Sequence, residues 1–108
     1  MLIFHRRFRE HLWKKFCRSI AYWRQKGKCY YCENPVKKKK ATADHLVPIQ
    51  LEGKTKLSNI VMACKRCNKL KANLSSELFK QIGHDKRLVL QIRSNRDKLF
   101  QSLKERGI

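Results

Sequence analysis

Four cysteines constrain this chain more than any other feature. Cys29, Cys32, Cys64 and Cys67 form a C-x2-C-x31-C-x2-C pattern. Each CxxC pair makes a knuckle that presents two thiolates. Two knuckles complete a tetrahedral S4 site, the arrangement of a closed structural zinc. The same four ligands would also hold iron, a CxxC pair would serve redox chemistry, and the thiols could stay unmetallated. Two pairs in so short and charged a chain favour structural Zn2+. The spacer exceeds that of a short zinc ribbon, so a folded segment is expected between the knuckles. The fifth cysteine, Cys17, lies outside the pattern and is expected to be a packed thiol in a helix.

At 108 residues the chain is expected to form a single domain, 1–108, whose core alone would be marginal. A structural metal is a common remedy at this size. Lysine and arginine number 27 against 8 aspartate and glutamate, a formal charge of +19, and the excess runs from Arg6 to Arg106. Such a chain seeks polyanions, nucleic acid first and an anionic membrane surface second. Nothing reads as a membrane span. Met1-Leu-Ile-Phe4 is followed at once by His5-Arg-Arg7, too short an apolar run for a signal peptide. The expectation is an intracellular, cytoplasmic protein with reduced thiols, which itself favours metal over disulfide.

Apolar residues recur at helical spacing over 4–26: Phe4, Phe8, Leu12, Phe16 and Ile20, with Trp13 and Trp23 beside the stripe. The spacing predicts an amphipathic helix that stops near Gly27. Its stripe is expected to pack on the core, and its aromatics to be core rather than base-stacking platforms, because they share the phase of Leu12 and Ile20. The basic face suits phosphates or plain solvent equally. Asn34-Pro35 ends the first knuckle in a turn. Lys37 to Lys40 read either as a solvated edge or as phosphate contacts. Residues 41–47 and Ile60-Val61-Met62 read as short strands, 50–58 as a loop, and 64–72 as a helix, within a core of about 27–73. Helices over about 76–106 follow. Ser75 or Ser76 caps one beginning near Glu77, and Asp85 caps the last. Leu88, Ile92, Leu99 and Leu103 mark one face of that helix, which Arg96 interrupts.

The chemistry-bearing residues lie between and beside the knuckles. Asp44-His45 sits within the spacer, Asn59 follows, and Asn68 adjoins Cys67. Adjacent residues on a strand face opposite ways, so Asp44 and His45 need a local bend to serve one site. On a helix Asn68 is turned about 100° from Cys67, so the cysteine can face zinc while the amide faces elsewhere. Lys65 and Lys71 fall on the face of Asn68. A carboxylate and an amide oxygen beside lysines suit a hard cation close to a phosphate, and a neutral imidazole nearby can deprotonate water.

CxxC, Asp44-His45-x-x-Pro48, Asn59 and Cys64-x-x-Cys67-Asn68-x-x-Lys71 resemble the HNH endonuclease family in its small zinc-bound form. The resemblance covers residues 29–71. It implies an α+β fold: a ββα-metal core with a four-cysteine zinc site, flanked here by the N- and C-terminal amphipathic helices. It implies that His45 is the general base, that Asp44 and Asn68 hold the catalytic metal, and that Asn59 fixes the loop and orients the base. The final motif residue is often histidine in that family. Asn68 in its place makes an oxygen pair that favours Mg2+ or Mn2+. The common double glycine after the base is reduced to Gly53-Lys54. The implied reaction is hydrolysis of phosphodiester bonds, most simply in double-stranded DNA, by nicking or double-strand cutting, with 5′-phosphate and 3′-hydroxyl products. Lys65, Lys69, Lys71 and Lys38, Lys39 and Lys40 are the expected phosphate contacts, and the protein is expected as a monomer or homodimer. Free-standing proteins of this kind are similar to ones encoded by bacteria, phages and mobile elements. A non-catalytic zinc-stapled nucleic-acid-binding module or a structural subunit would explain the charge and the cysteines, but not the Asp-His-Asn-Asn spacing.

Overall fold

The computed structural model describes residues 2–107, with side chains from Arg6 onward. The order of elements is helix α1 (Leu2–Arg24), strands β1 (Thr42–His45) and β2 (Ile60–Ala63), then helices α2 (Lys65–Lys71), α3 (Ser76–Ile82) and α4 (Lys86–Glu105). Single 3-10 turns occupy Lys38–Lys40, Ile49–Leu51 and Leu57–Asn59. The fold is α+β with a ββα core, in agreement with the sequence-based expectation. Among the described residues no helix is long and apolar enough to cross a membrane.

β1 and β2 pair antiparallel with Asp44 opposite Val61 and His45 opposite Ile60. Every residue of β2 is buried, because α1 covers one face of the hairpin while α2 lies against β1. The outer edge of β2 is closed by side chains. Gln25 donates through Nε2 to Met62 O (2.8 Å) and accepts from Met62 N–H (2.8 Å), which stands in for a third strand.

α1 ends three residues before Gly27. Gly27 N–H reaches Tyr22 O and Lys26 N–H reaches Trp23 O, with Lys26 left-handed at φ 55, the bonding of a Schellman motif. The Cys64 thiol caps α2 by accepting from Cys67 N–H. Ser75, rather than Ser76, caps α3, and Asp85 caps α4.

Helix α1 turns a different face to the core from the one its periodicity marks, and α4 a partly different one, keeping Ile92 of its marked face against the core. Phe8, Leu12, Phe16 and Trp23 are 55%, 47%, 49% and 74% exposed, whereas Cys17 and Ala21 are fully buried. The side chain of Phe4 lies outside the described residues. Small residues let α1 approach β2 closely, and the aromatic stripe is left outward. On α4, Leu88 and Leu99 are exposed while Val89 is buried. Arg96, a break in the apolar periodicity, belongs to the packed side: it donates to Asn73 O, as Arg93 does to Leu70 O. Those half-buried arginines satisfy carbonyls at and just after the end of α2.

Backbone geometry restricts the side chain at Gly53 and at Ala72. A Cβ on Gly53 would lie 1.7 Å from Val47 O and 2.8 Å from Pro48 O, all backbone. Gly53→Ala is therefore expected to force the 47–53 loop open and cost about 2–3 kcal/mol, read from the urea midpoint; an unchanged midpoint would refute the contact. Ala72, at the end of α2, sits at φ 49, ψ −121, where L side chains are strained. Ala72→Gly should raise stability by about 1 kcal/mol in the same assay, and a lower midpoint would count against the strain.

Candidate active site and metal centre

The two knuckles meet. The Sγ atoms of Cys29, Cys32, Cys64 and Cys67 all lie within 4.8 Å of one another. Sulfurs tetrahedral about zinc at about 2.3 Å stand about 3.8 Å apart, and Cys32 and Cys64 are at 3.9 Å. Backbone N–H groups of Tyr31 and Cys64 point at Cys29 Sγ, at 3.4 and 3.3 Å. Such donors favour the thiolate form. Burial pushes the Cys29 and Cys67 thiols up. Burial opposes ionisation of Cys32 as well, but hydrogen bonds from the Asn34 backbone and the other thiols outweigh it and bring Cys32 down to about 7. One thiol is thus poised to ionise first, and the cluster has the ligand set of a structural zinc site.

Asp44 and His45, adjacent on β1, point to opposite sides: the ladder runs regularly through both, so the bend expected to turn them onto one face is not present, and the structure does not bring the two side chains together. Asp44 is buried toward α2. Its Oδ1 accepts from Lys71 Nζ at 3.1 Å, and its Oδ2 from the Tyr31 hydroxyl, which also meets Ser76 Oγ. Lys71 Nζ reaches His45 O as well, at 3.3 Å. Lys71 corrects a sequence expectation. Placed among the phosphate contacts, it is instead 1% exposed and neutralises Asp44, because α2 turns that side of its last turn toward β1. Lys65, Lys69 and Lys38 to Lys40 are exposed.

Asn68 donates through Nδ2 to Thr42 Oγ1 (3.0 Å), and Thr42 donates onward to Ala63 O. Thr42 and Asp44, two apart on β1, therefore share the face toward α2. The Asp44 carboxylate, the Asn68 amide oxygen and Thr42 Oγ1 are hard oxygen donors, the kind Mg2+ or Mn2+ takes. The set fits such an ion in kind, and any cation there shares Asp44 with Lys71.

His45 turns toward α1. Its Nε2 lies 2.8 Å from Thr55 Oγ1, and Thr55 O accepts from Trp13 Nε1 at 2.6 Å. Burial, then the charges of Lys14 and Lys71, push the imidazole below its ordinary value of 6.5 against the opposing pull of Asp44. It is neutral at neutral pH. No hydrogen bond engages Nδ1 among the described residues, and no buried side-chain polar atom among them lacks a partner. Nδ1 is therefore open to water.

Asn59 is buried and joins both ends of the loop after His45. Its Oδ1 accepts from Val47 N–H, and its Nδ2 donates to Val47 O and Lys54 O, at 2.9, 3.1 and 2.8 Å. Its own carbonyl accepts from Leu46 N–H. All these partners are backbone; none is the His45 ring. Sequence reasoning missed Tyr31, Thr55 and Trp13. Thr55 and Trp13 are 42 residues apart, a contact no local pattern announces, and Tyr31 reads only as filler within a CxxC pair.

Comparison with known proteins bears on this arrangement directly. The HNH endonuclease family model matches residues 29–82, half of the chain. Over 51 residues the chain is 39% identical to the CRISPR-associated endonuclease Cas9 of Corynebacterium diphtheriae, a stretch of 46% of this chain and 5% of that protein. The chain thus spans a small fraction of that relative's length. The matched segment holds the four cysteines, the β1–β2 hairpin, α2 and α3, so the residues that build the metal centre are those that carry the likeness: the chain belongs to the HNH endonuclease family.

Proposed function

We propose that the protein is a metal-dependent endonuclease that hydrolyses phosphodiester bonds in double-stranded DNA, with His45 as general base. The observation that carries this reading is a neutral imidazole, fixed through Nε2 by Thr55 and open at Nδ1. With Nε2–H donated to Thr55 Oγ1, Nδ1 keeps a lone pair that takes a proton from the attacking water. Trp13, by holding Thr55 O, fixes the segment that orients the ring. Asn59 holds the loop between His45 and Thr55 closed, a positioning role.

Asp44 and Asn68 would hold Mg2+ or Mn2+, which when bound supplies charge neutralisation at the phosphate and the departing 3′ oxygen. Zinc at the four cysteines would be structural. Lys65 and Lys38 to Lys40 suit flanking phosphates of the duplex, and their contribution falls with added salt. The products expected are 5′-phosphate and 3′-hydroxyl ends.

The test is cleavage of supercoiled plasmid with Mg2+ or Mn2+, wild type beside His45→Ala. The variant should lose at least about 100-fold in rate while keeping its DNA affinity by gel shift. Equal cleavage by the variant would remove His45 from the mechanism. The depressed imidazole also fixes the pH profile. The base works unprotonated, so the rate should rise with pH through a midpoint below 6.5 and level off above it. A midpoint above that value would assign the titration to another group.

A further inference from the structure

A basic concavity lies against the cysteine cluster, with Cys32 and Cys67 in its lining. A cavity of about 1030 Å³ opens between the first knuckle, α2, the α3–α4 corner and the first half of α4. Arg66 and Leu70, which line it, sit about 160° round α2 from Asn68, so it faces away from the Asp44–Asn68 side. Five cations converge on it, Arg66, Lys69, Lys80, Lys86 and Arg93, with Glu33 as the one acidic residue of the lining.

These cations are not equivalent. Arg93 is engaged with Leu70 O. Lys80 Nζ is held by the Tyr30 hydroxyl at 2.6 Å and lies 3.9 Å from the centre of its ring. Arg66 stands beside the thiols of Cys67, Cys64 and Cys32, whose charge raises its own affinity for a proton. Lys69 and Lys86 form no ion pair or hydrogen bond through their side chains among the described residues. Like charges brought together in a concavity destabilise the fold until an anion fills it.

Between the cations the lining is part polar and part apolar: Tyr30 and His84 stand beside Leu70, and Leu90 is left 44% exposed. Apolar and aromatic side chains inside a cationic rim match a chain whose phosphates and bases are both accessible. In a duplex the bases are stacked away, whereas a single strand presents both.

We propose that this cavity binds single-stranded nucleic acid, with phosphates on Lys69 and Lys86 and a base against Leu90. The site is separate from His45 and does not depend on the hydrolytic reading. A strand held there lies on the opposite side of α2 from the proposed cation site.

The experiment uses the zinc-loaded full chain and a fluorescein-labelled oligothymidylate of ten nucleotides. Binding is followed by fluorescence anisotropy over a salt series without Mg2+ or Mn2+. The double variant Lys69→Glu/Lys86→Glu should bind at least 10-fold more weakly. Its slope of log affinity on log salt should be shallower by about 1.4, the release expected for two phosphate contacts on a single strand. The control Lys98→Glu/Lys104→Glu removes the same charge from exposed α4 positions outside the cavity and should lose under 3-fold. Leu90→Ser should weaken binding about 5-fold with the salt slope unchanged. Equal losses in the two double variants would overturn the site in favour of diffuse charge attraction. Full affinity in Leu90→Ser would overturn the single-stranded occupant, since an acidic peptide or a bare phosphate chain needs no base contact.

Discussion

Cys67→Ser is expected to abolish the folded state of the 29–71 segment rather than weaken it by degrees. The buried apolar core is small: one cluster gathers Cys29, Ala63, Cys67, Leu74, Phe79 and Val89, the other Ala21, Ala41 and Met62. Two of the four cysteines of the metal centre are thus themselves core residues. Structural zinc contributes an apparent 10–16 kcal/mol, roughly, against a total stability of about 5–15 kcal/mol for a domain of this size. Loss of a ligand therefore removes about as much as the whole fold has to give. Purified variant protein should contain less than one zinc per chain, show no cooperative thermal transition and be cleaved rapidly by trypsin within 29–71. Chelation should do the same to the wild type, faster at lower pH. Protons compete for the thiolates: Cys29 and Cys67, pushed up by burial, take them first as pH falls, and Cys32, brought down to about 7, is the last. A cooperative transition at the wild-type temperature in metal-free protein would show that the knuckles close without an ion.

What the sequence made legible, and what it did not, follows from where each signal comes from. Ligand spacing is a local fact with a geometric consequence, so the two CxxC pairs by themselves imply one four-sulfur cluster. Helix caps are equally local: Ser75 and Asp85 announce α3 and α4 by their own chemistry. The face of α1 and part of that of α4 were misjudged because periodicity says which residues lie together, not which group meets the core. On α1 the close approach of β2 selects Cys17 and Ala21, and the larger stripe of Phe8, Leu12 and Phe16 is left to solvent. On α4, half-buried arginines take positions beside the end of α2, where carbonyls need donors. At the site, Asp44, His45, Asn59 and Asn68 were visible as residues, but their partners were not. Thr55 comes to His45 through a loop closed by Asn59 and Gly53, and Trp13 comes to Thr55 from another element. Lys71 was visible and misplaced: it does share the side of Asn68, but α2 turns that side toward β1 rather than to solvent.

Lys71→Met is expected to expose what that burial does. Lys71 and Asp44 form a salt bridge at 3.1 Å with side chains 1% and 6% exposed. Removing one partner of such a pair leaves an unpaired buried charge, and losses of about 3–5 kcal/mol are usual. Methionine keeps the length and apolar bulk of the lysine stem, so the loss reports charge rather than a void. The Tyr31 hydroxyl still reaches Asp44, but one neutral donor does not replace an ammonium at a carboxylate this deeply buried. The double variant Asp44→Asn/Lys71→Met, which removes both charges, should recover most of the stability, measured by urea unfolding of zinc-loaded protein in buffer without Mg2+ or Mn2+. The proposed catalytic ion adds a second expectation. Mn2+ should raise the midpoint of Lys71→Met more than that of the wild type, because the ion meets an Asp44 no longer neutralised, and should leave the double variant unmoved. A single variant within about 1 kcal/mol of wild type would mean that Asp44 finds its counter-charge elsewhere. A clear loss that Mn2+ does not reduce would leave the salt bridge intact as a structural feature and withdraw Asp44 as a metal ligand.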